Sequence, residues 1–264
     1  MRYAFSTLVC PDWTWEEILT AASDLGYDGV ELRGVGKEIY LPQTSRFSDA
    51  GIDKVVSELK RLKLSVPCLA TGALLFDASL ISLAQHEIAD YIKLAVKLNT
   101  PYVRLLADRN PAPGIVDEDA VLQNLKLALP EAEKAGVTLL VETNGVYADS
   151  DRMRALLEKI NSPALGVVWD VHHSFRYAGE EPAKTFENIG KYIKHVHLKD
   201  SIMENGVTHY RMMGYGDVPY ADAVKLLEES GFDGFLTCEW VKRWNTELEE
   251  PGIVLPHFIS VMKR

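Results

Sequence analysis

The chain has 264 residues, 47% of them hydrophobic and 25% charged, and its formal net charge is −10. Those values suit one large domain with a sizeable core. They disfavour a nucleic-acid partner, because phosphate backbones are bound mainly through Lys and Arg, and they leave a small neutral substrate or a cation open. No run approaches the roughly 18 apolar residues of a membrane span, so no membrane partner is expected. Cys10, Cys68 and Cys238 lie far apart, and MRYAFSTLVCPDW holds no long apolar stretch. A reducing, cytoplasmic setting is therefore expected.

Short apolar or β-branched runs alternate with longer runs of helical period. RYAFST (2–7) reads as a strand. WTWEEILTAASDLG (13–26) reads as a helix, with Thr14 as N-cap, Glu17 three residues on and Gly26 as its stop. The strand DGVELR (28–33) precedes the helix SDAGIDKVVSELKRLK (48–63). LSVPCLAT (64–71) precedes SLISLAQHEIADYIKLAVKLN (79–99), and YVRLLA (102–107) precedes DEDAVLQNLKLALPEAEKAG (117–136). Pro130 is expected to kink or break that last helix. VTLLVETN (137–144) leads to DSDRMRALLEKIN (149–161), LGVVWDVH (165–172) to PAKTFENIG (182–190), and IKHVHLKD (193–200) to PYADAVKLLEESG (219–231). GFLTCEW (234–240) and the tail helix PGIVLPHFISVMKR (251–264) close the chain.

Glycine ends several helices just before a strand, in LGYDGVEL, AGVTLLVE and SGFDGFLTCE. Strands alternating with helices imply parallel pairing through right-handed crossovers. Eight such units predict an α/β fold, a (β/α)8 TIM barrel spanning 1–264 as a single domain. A doubly wound open sheet is the runner-up, weakened because no G-x-G-x-x-G or P-loop follows the first strand.

In such a barrel the site lies at the C-terminal ends of the strands. There the sequence offers Glu142 (LLVETNG), Asp170, His172 and His173 (VVWDVHHS), the run KHVHLKDS and Glu239 (LTCEW). Each taken alone reads as a charged strand end in water. As a set, they place carboxylates where core strands emerge, and a shared cation is an economical partner for them. An oxygen majority with one imidazole suits Mn²⁺, Mg²⁺, Co²⁺ or Zn²⁺. Residues 195, 197 and 199 point the same way along their strand. His195 is expected one layer deeper, His197 level with the carboxylates, and Lys199 over the mouth. Glu31 and Arg33 on the second strand and Arg104 on the fourth are further mouth residues, able to meet hydroxyls or a phosphate, and Arg211 lies in a long loop after the seventh. For Arg33 and Arg104, pairing with nearby carboxylates is the competing expectation.

GYDGVELR (26–33), VETNG (141–145), WDVHHS (169–174), HVHLKD (195–200), GYGDVPY (214–220) and CEW (238–240) resemble the xylose isomerase-like TIM barrels. The likeness is to their sugar phosphate isomerase/epimerase branch, related to ketose 3-epimerases and inosose isomerases or dehydratases. It implies one divalent ion, Mn²⁺ foremost, held by Glu142, Asp170, His197 and Glu239. It implies that Glu142 and Glu239 act as base and acid on a carbohydrate through a metal-stabilised enediolate, and that His173 touches a substrate oxygen. Ala148 and Met203 stand where ketose 3-epimerases carry a Glu and an Arg, which puts 3-epimerase specificity in question. An inosose-type dehydratase using the same metal and base is the alternative. An endonuclease IV-like enzyme is a lesser one, since the first four strands offer no histidine. A non-catalytic binding barrel has no need of both glutamates. The sequence does not choose between a homodimer and a homotetramer.

Overall fold

β-Branched and apolar runs give strands because their side chains pack on a pleated, buried surface. In the computed structural model, which describes residues 1–263, eight of them form one sheet. These are β1 (Arg2–Ser6), β2 (Gly29–Glu31), β3 (Cys68–Leu74), β4 (Tyr102–Leu106), β5 (Thr138–Glu142), β6 (Leu165–Asp170), β7 (Ile193–Leu198) and, last in the chain, β10 (Phe235–Cys238). The spatial order is β2-β1-β10-β7-β6-β5-β4-β3, with every pairing parallel. Parallel bridges at Gly29–Ser65 and Leu32–Leu69 bring the two edges together into a nearly closed barrel. Nine helices surround it among the described residues: α1 (Trp15–Asp24), α2 (Ile52–Leu62), α3 (Ile81–Leu98), α4 (Glu118–Ala135), α5 (Ser150–Ile160), α6 (Val171–Ala178), α7 (Pro182–Ile189), α8 (Tyr220–Glu229) and α9 (Pro251–Met262). None is long and apolar enough to cross a membrane. Arg264, at the end of the last predicted helix, lies outside the described residues.

Thr14 closes a capping box with Glu17 at the start of α1, as its sequence predicts. Pro130 does not break α4. Its ring lies on the exposed face, while Leu125, Ala128, Leu129 and Ala132 are buried on both sides of it. Packing therefore carries the helix through one lost backbone hydrogen bond.

Two differences bear on the site. The sixth predicted strand, 165–172, stops at Asp170, and α6 begins immediately after it. Asp170 is the helix N-cap, its Oδ1 accepting the His173 N–H at 3.0 Å. The predicted loop after the seventh strand is a hairpin, β8 (Asp200–Glu204) paired antiparallel with β9 (Val207–Arg211). Asn205 and Gly206 turn it with φ of +51° and +78°, the conformation that Asn-Gly favours.

Most of the apolar core lies between sheet and helices, around Trp15, Trp169, Leu69 and Phe258. The upper barrel interior is polar instead. Glu31, Arg104, Glu142, Asp170, His195, His197 and Thr237 are all buried there.

Candidate active site

The four ligand-type residues come from adjacent strand ends in the order β5, β6, β7, β10. Register places Asp170 directly beside His197. A bulge between Val167 and Val168 helps set that register, because Lys194 is passed over without a partner. One atom from each of Glu142, Asp170, His197 and Glu239 falls within 4.8 Å of the others. His197 Nδ1 lies 3.3 Å from Glu239 Oε1, 3.9 Å from Glu142 Oε1 and 4.0 Å from Asp170 Oδ2.

Each carboxylate is held from behind. Asp170 uses Oδ1 for the α6 cap and leaves Oδ2 facing the cluster. The Thr143 hydroxyl accepts the Asp170 N–H at 2.8 Å and fixes the end of β6 against β5. Arg104 Nε lies 3.1 Å from Glu142 Oε2, an ion pair off the hydrogen-bond line, and its Nη1 donates to the Thr71 carbonyl at 3.2 Å. Burial opposes the Glu142 charge, but Arg104 and His197 outweigh it and hold the carboxyl below its usual range. Lys199 inserts its ammonium between Asp170 and Glu239. Burial disfavours that charge too, yet the two carboxylates keep the lysine above its usual range.

Glu31 is not at the mouth. It is fully buried one layer below, and its Oε2 lies 2.8 Å from His197 Nε2 and 3.0 Å from His195 Nε2. Sequence spacing gives the inward direction of position 31 and not its height, which is why it reads as a mouth residue from sequence alone. His195 also meets Thr237 Oγ1 at 2.9 Å, below the cluster. Arg104 and Lys199 are likewise buried against carboxylates, so neither projects over an open mouth. Arg211 ends the hairpin and donates to the Tyr210 carbonyl at 3.0 Å, with no ion pair to the cluster among the described residues. Arg33 is half-buried.

His173 Nδ1 lies 3.1 Å from the Thr143 carbonyl. A carbonyl accepts only, so neutral His173 carries its proton on Nδ1 and presents Nε2 as an acceptor. Burial favours that neutral form. His172 is directed away, with Nε2 2.9 Å from Ser201 Oγ. Its ring stacks on Tyr210 at 5.5 Å between centroids, and Tyr177 lies 5.9 Å from both His172 and His173. Tyr177 and Tyr210 are walls that sequence reading missed. The Asn205-Gly206 dipeptide was the available signal, because the hairpin it turns carries Tyr210. Asp200 accepts N–H groups from Ser201, Gly214, Gly216 and Val218, which fixes the GYGD loop. A Cβ on Gly216 would lie 2.0 Å from Asp200 Oδ1, so only glycine fits there.

The donor set fits a divalent ion on two counts. His197 Nδ1 is buried without a hydrogen-bond partner, and three carboxylates surround it. The charges also balance. Glu31, Glu142, Asp170 and Glu239 face two permanent cations, Arg104 and Lys199, so an ion of charge +2 restores neutrality with His197 uncharged. Without such an ion the pocket draws a proton onto His197: burial resists, but Glu31 and Glu239 raise its pKa well above the ordinary value.

A parallel barrel with a buried carboxylate–histidine cluster at its C-terminal rim defines a class of TIM-barrel proteins. Residues 19–254 match the xylose isomerase-like TIM barrel family, and the chain belongs to it. It is 24% identical to the fructoselysine 3-epimerase of Shigella flexneri over 247 residues, covering 88% of this chain and 87% of that one. The structure of the probable 3-DHS dehydratase AsbF of Bacillus anthracis superposes with a TM-score of 0.80 at 18% identity, covering 100% and 99% of the two chains. That of the IOLI protein with a bound zinc atom does so with a TM-score of 0.75 at 17% identity, covering 100% and 95%.

Proposed function

We propose that the protein is a divalent-metal-dependent isomerase or epimerase of a ketose, a keto-polyol or one of their phosphates. The observation that carries this reading is His197 Nδ1, buried, without a hydrogen-bond partner and ringed by three carboxylates. The fructoselysine 3-epimerase and the zinc-bearing IOLI protein support it by likeness. Glu142, Asp170, His197 and Glu239 would hold the ion, with Mn²⁺ the first choice and Mg²⁺, Co²⁺ and Zn²⁺ suited to the same donors. When bound, such an ion polarises a substrate carbonyl and acidifies the adjacent C–H.

The chain's own residues do the rest. Glu142 and Glu239 flank the cluster, because β5 and β10 are the outer two of its four strands. One takes the proton from the carbon beside the carbonyl and leaves an enediolate. Its return to the neighbouring carbon gives the aldose–ketose isomer. Delivery to the same carbon from the opposite face by the other glutamate, protonated beforehand, gives the epimer and leaves the abstracted proton on the first. Arg104 keeps Glu142 ionised and able to accept. His173 Nε2 accepts from a substrate hydroxyl, and the Tyr210 and Tyr177 rings keep water out. A dehydratase is the second reading, favoured by the likeness of the fold to the probable 3-DHS dehydratase AsbF.

Metal-loaded protein in deuterated water should exchange the C–H beside the carbonyl of one member of a panel of ketoses, keto-inositols and their phosphates, followed by NMR. Isomer, epimer and dehydrated product give different spectra, and a panel left wholly unexchanged would remove the reading. Elemental analysis of purified protein should find about one divalent ion per chain. Protein that takes up none on dialysis against Mn²⁺, Mg²⁺, Co²⁺ and Zn²⁺ would remove the ligand assignment.

A further inference from the structure

Beside the cluster, the barrel mouth carries two arginines, Arg33 and Arg243, with no carboxylate in ion-pair contact among the described residues; the Glu87 carboxylate lies on the other side of Gly72 from Arg33. Arg33 stands two residues beyond Glu31, at the top of β2. It is partly buried, and its guanidinium makes no ion pair or hydrogen bond among the described residues. Its carbon lies 5.7 Å from the ring centroid of Trp244. Trp244 is 57% exposed, so this place opens to solvent. Gly72 makes room on the other side, since a Cβ there would lie 3.2 Å from Arg33 Nη2.

The neighbours do not satisfy this charge. Arg104 is already engaged with Glu142 and the Thr71 carbonyl. Arg243 donates Nη2 to the Gly36 carbonyl at 2.9 Å, and its Nε is buried without a partner. Burial first, and then the repulsion of Arg104, draw Arg33 down to about 10, with Arg243 adding to the effect and Tyr91 and Glu87 opposing it. In a chain of net charge −10, a cluster of three guanidiniums with one carboxylate partner is a local device and not general basicity. A guanidinium presents a planar fork of donors that matches a carboxylate or a phosphate. Arg33 lies near the chemistry along the chain, two residues beyond Glu31, whose carboxylate touches His197.

We propose that Arg33, above Trp244 and beside Arg243, forms a subsite for an oxyanion borne by the substrate, a carboxylate or a phosphate ester. The proposal rests on the ketose reading for where the rest of the substrate lies. An anion there would give Arg33 the direct ion-pair partner that the described residues do not supply, and would fix which end of the substrate enters first.

The test is a titration of metal-loaded full-length protein, followed by tryptophan emission and calorimetry. The probes are dihydroxyacetone, dihydroxyacetone phosphate and hydroxypyruvate, then fructose and fructose 6-phosphate. At least one charged probe should bind ten-fold or more tightly than its neutral match. Arg33→Met should erase that preference, and Arg33→Lys should restore part of it. Whether the phosphate or the keto acid gains more identifies the anion. Equal binding of charged and neutral probes by the wild type would overturn the subsite, and so would a preference that survives in Arg33→Met of unchanged melting temperature. Failure of binding by every charged probe would also overturn it. A charged probe bound with preference but never exchanged would overturn the proposed reaction and leave the subsite standing. A neutral sugar exchanged and bound as well as its phosphate would do the reverse.

Discussion

Glu239→Gln is expected to reduce exchange of the substrate C–H with deuterated water by about two to four orders of magnitude, the usual worth of a positioned acid or base. The amide keeps the size and one oxygen donor of the carboxylate but cannot carry the proton. Glu239 Oε1 lies 3.3 Å from His197 Nδ1, while Oε2 is engaged by Lys199. The change therefore also removes one negative charge from a balanced pocket, and the metal content of the variant must be measured beside its activity. Exchange lost with the ion still bound assigns Glu239 to proton transfer. Exchange retained with the ion bound removes it from the acid–base pair and leaves Glu142 with the whole task. Glu142→Gln is the companion variant. Arg104, which now balances Glu142, would there lack a counter-charge in a buried site, so a larger loss of stability is expected from it than from Glu239→Gln.

How far the sequence could be read follows from what each signal reports. The eight strands were legible because each is an apolar run bounded by turn residues, and the barrel followed from their alternation with helices. The four cluster residues were legible because strand ends in such a barrel point to one rim. Beyond the rim, periodicity gives a direction and no height. Glu31 and Arg33 share a face of β2, yet one is sealed beneath the imidazoles and the other reaches the mouth. Lys199 reads as a substrate contact because a lone cation at a strand end looks free, and Arg104 reads equally as a contact or as half of a carboxylate pair; the structure gives it the pair, with Glu142. Their carboxylate partners come from other strands, and no local pattern records such a pair. The helix after Asp170 was missed because VVWDVHHS continues the β-branched run, and the capping role of Asp170 competed with its reading as a ligand. In the structure one oxygen caps the helix and the other faces His197 and Lys199 in the cluster.

Glu31→Gln is expected to weaken divalent-ion binding about 10- to 100-fold, the range for changes to a carboxylate that orients a ligating histidine. Glu31 comes from the far side of the barrel, 166 positions from His197 in sequence. Its Oε2 serves two imidazoles, at 2.8 Å and 3.0 Å. Burial alone would raise its pKa, but His197 and His195 hold it well below the usual carboxylate range. A carboxylate only accepts, so His197 must carry a proton on Nε2 and, when neutral, offers its lone pair at Nδ1, the nitrogen that faces Glu142, Asp170 and Glu239. Glutamine breaks this logic, because its amide can turn either a donor or an acceptor toward Nε2. A donor there would move the His197 proton to Nδ1 and close the nitrogen to a metal. Nitrogen-15 NMR of the imidazole reports the tautomer with no need of turnover, and calorimetry reports the affinity. A variant that binds the ion as tightly as wild type, with Nδ1 still unprotonated, would remove Glu31 from this role. Glu31→Ala separates orientation from mere packing. It leaves His197 Nε2 buried without an acceptor, while His195 Nε2 keeps the Thr237 hydroxyl, and is expected to cost about 1–3 kcal/mol of stability, whereas Glu31→Gln should lose metal affinity at a smaller cost in melting temperature.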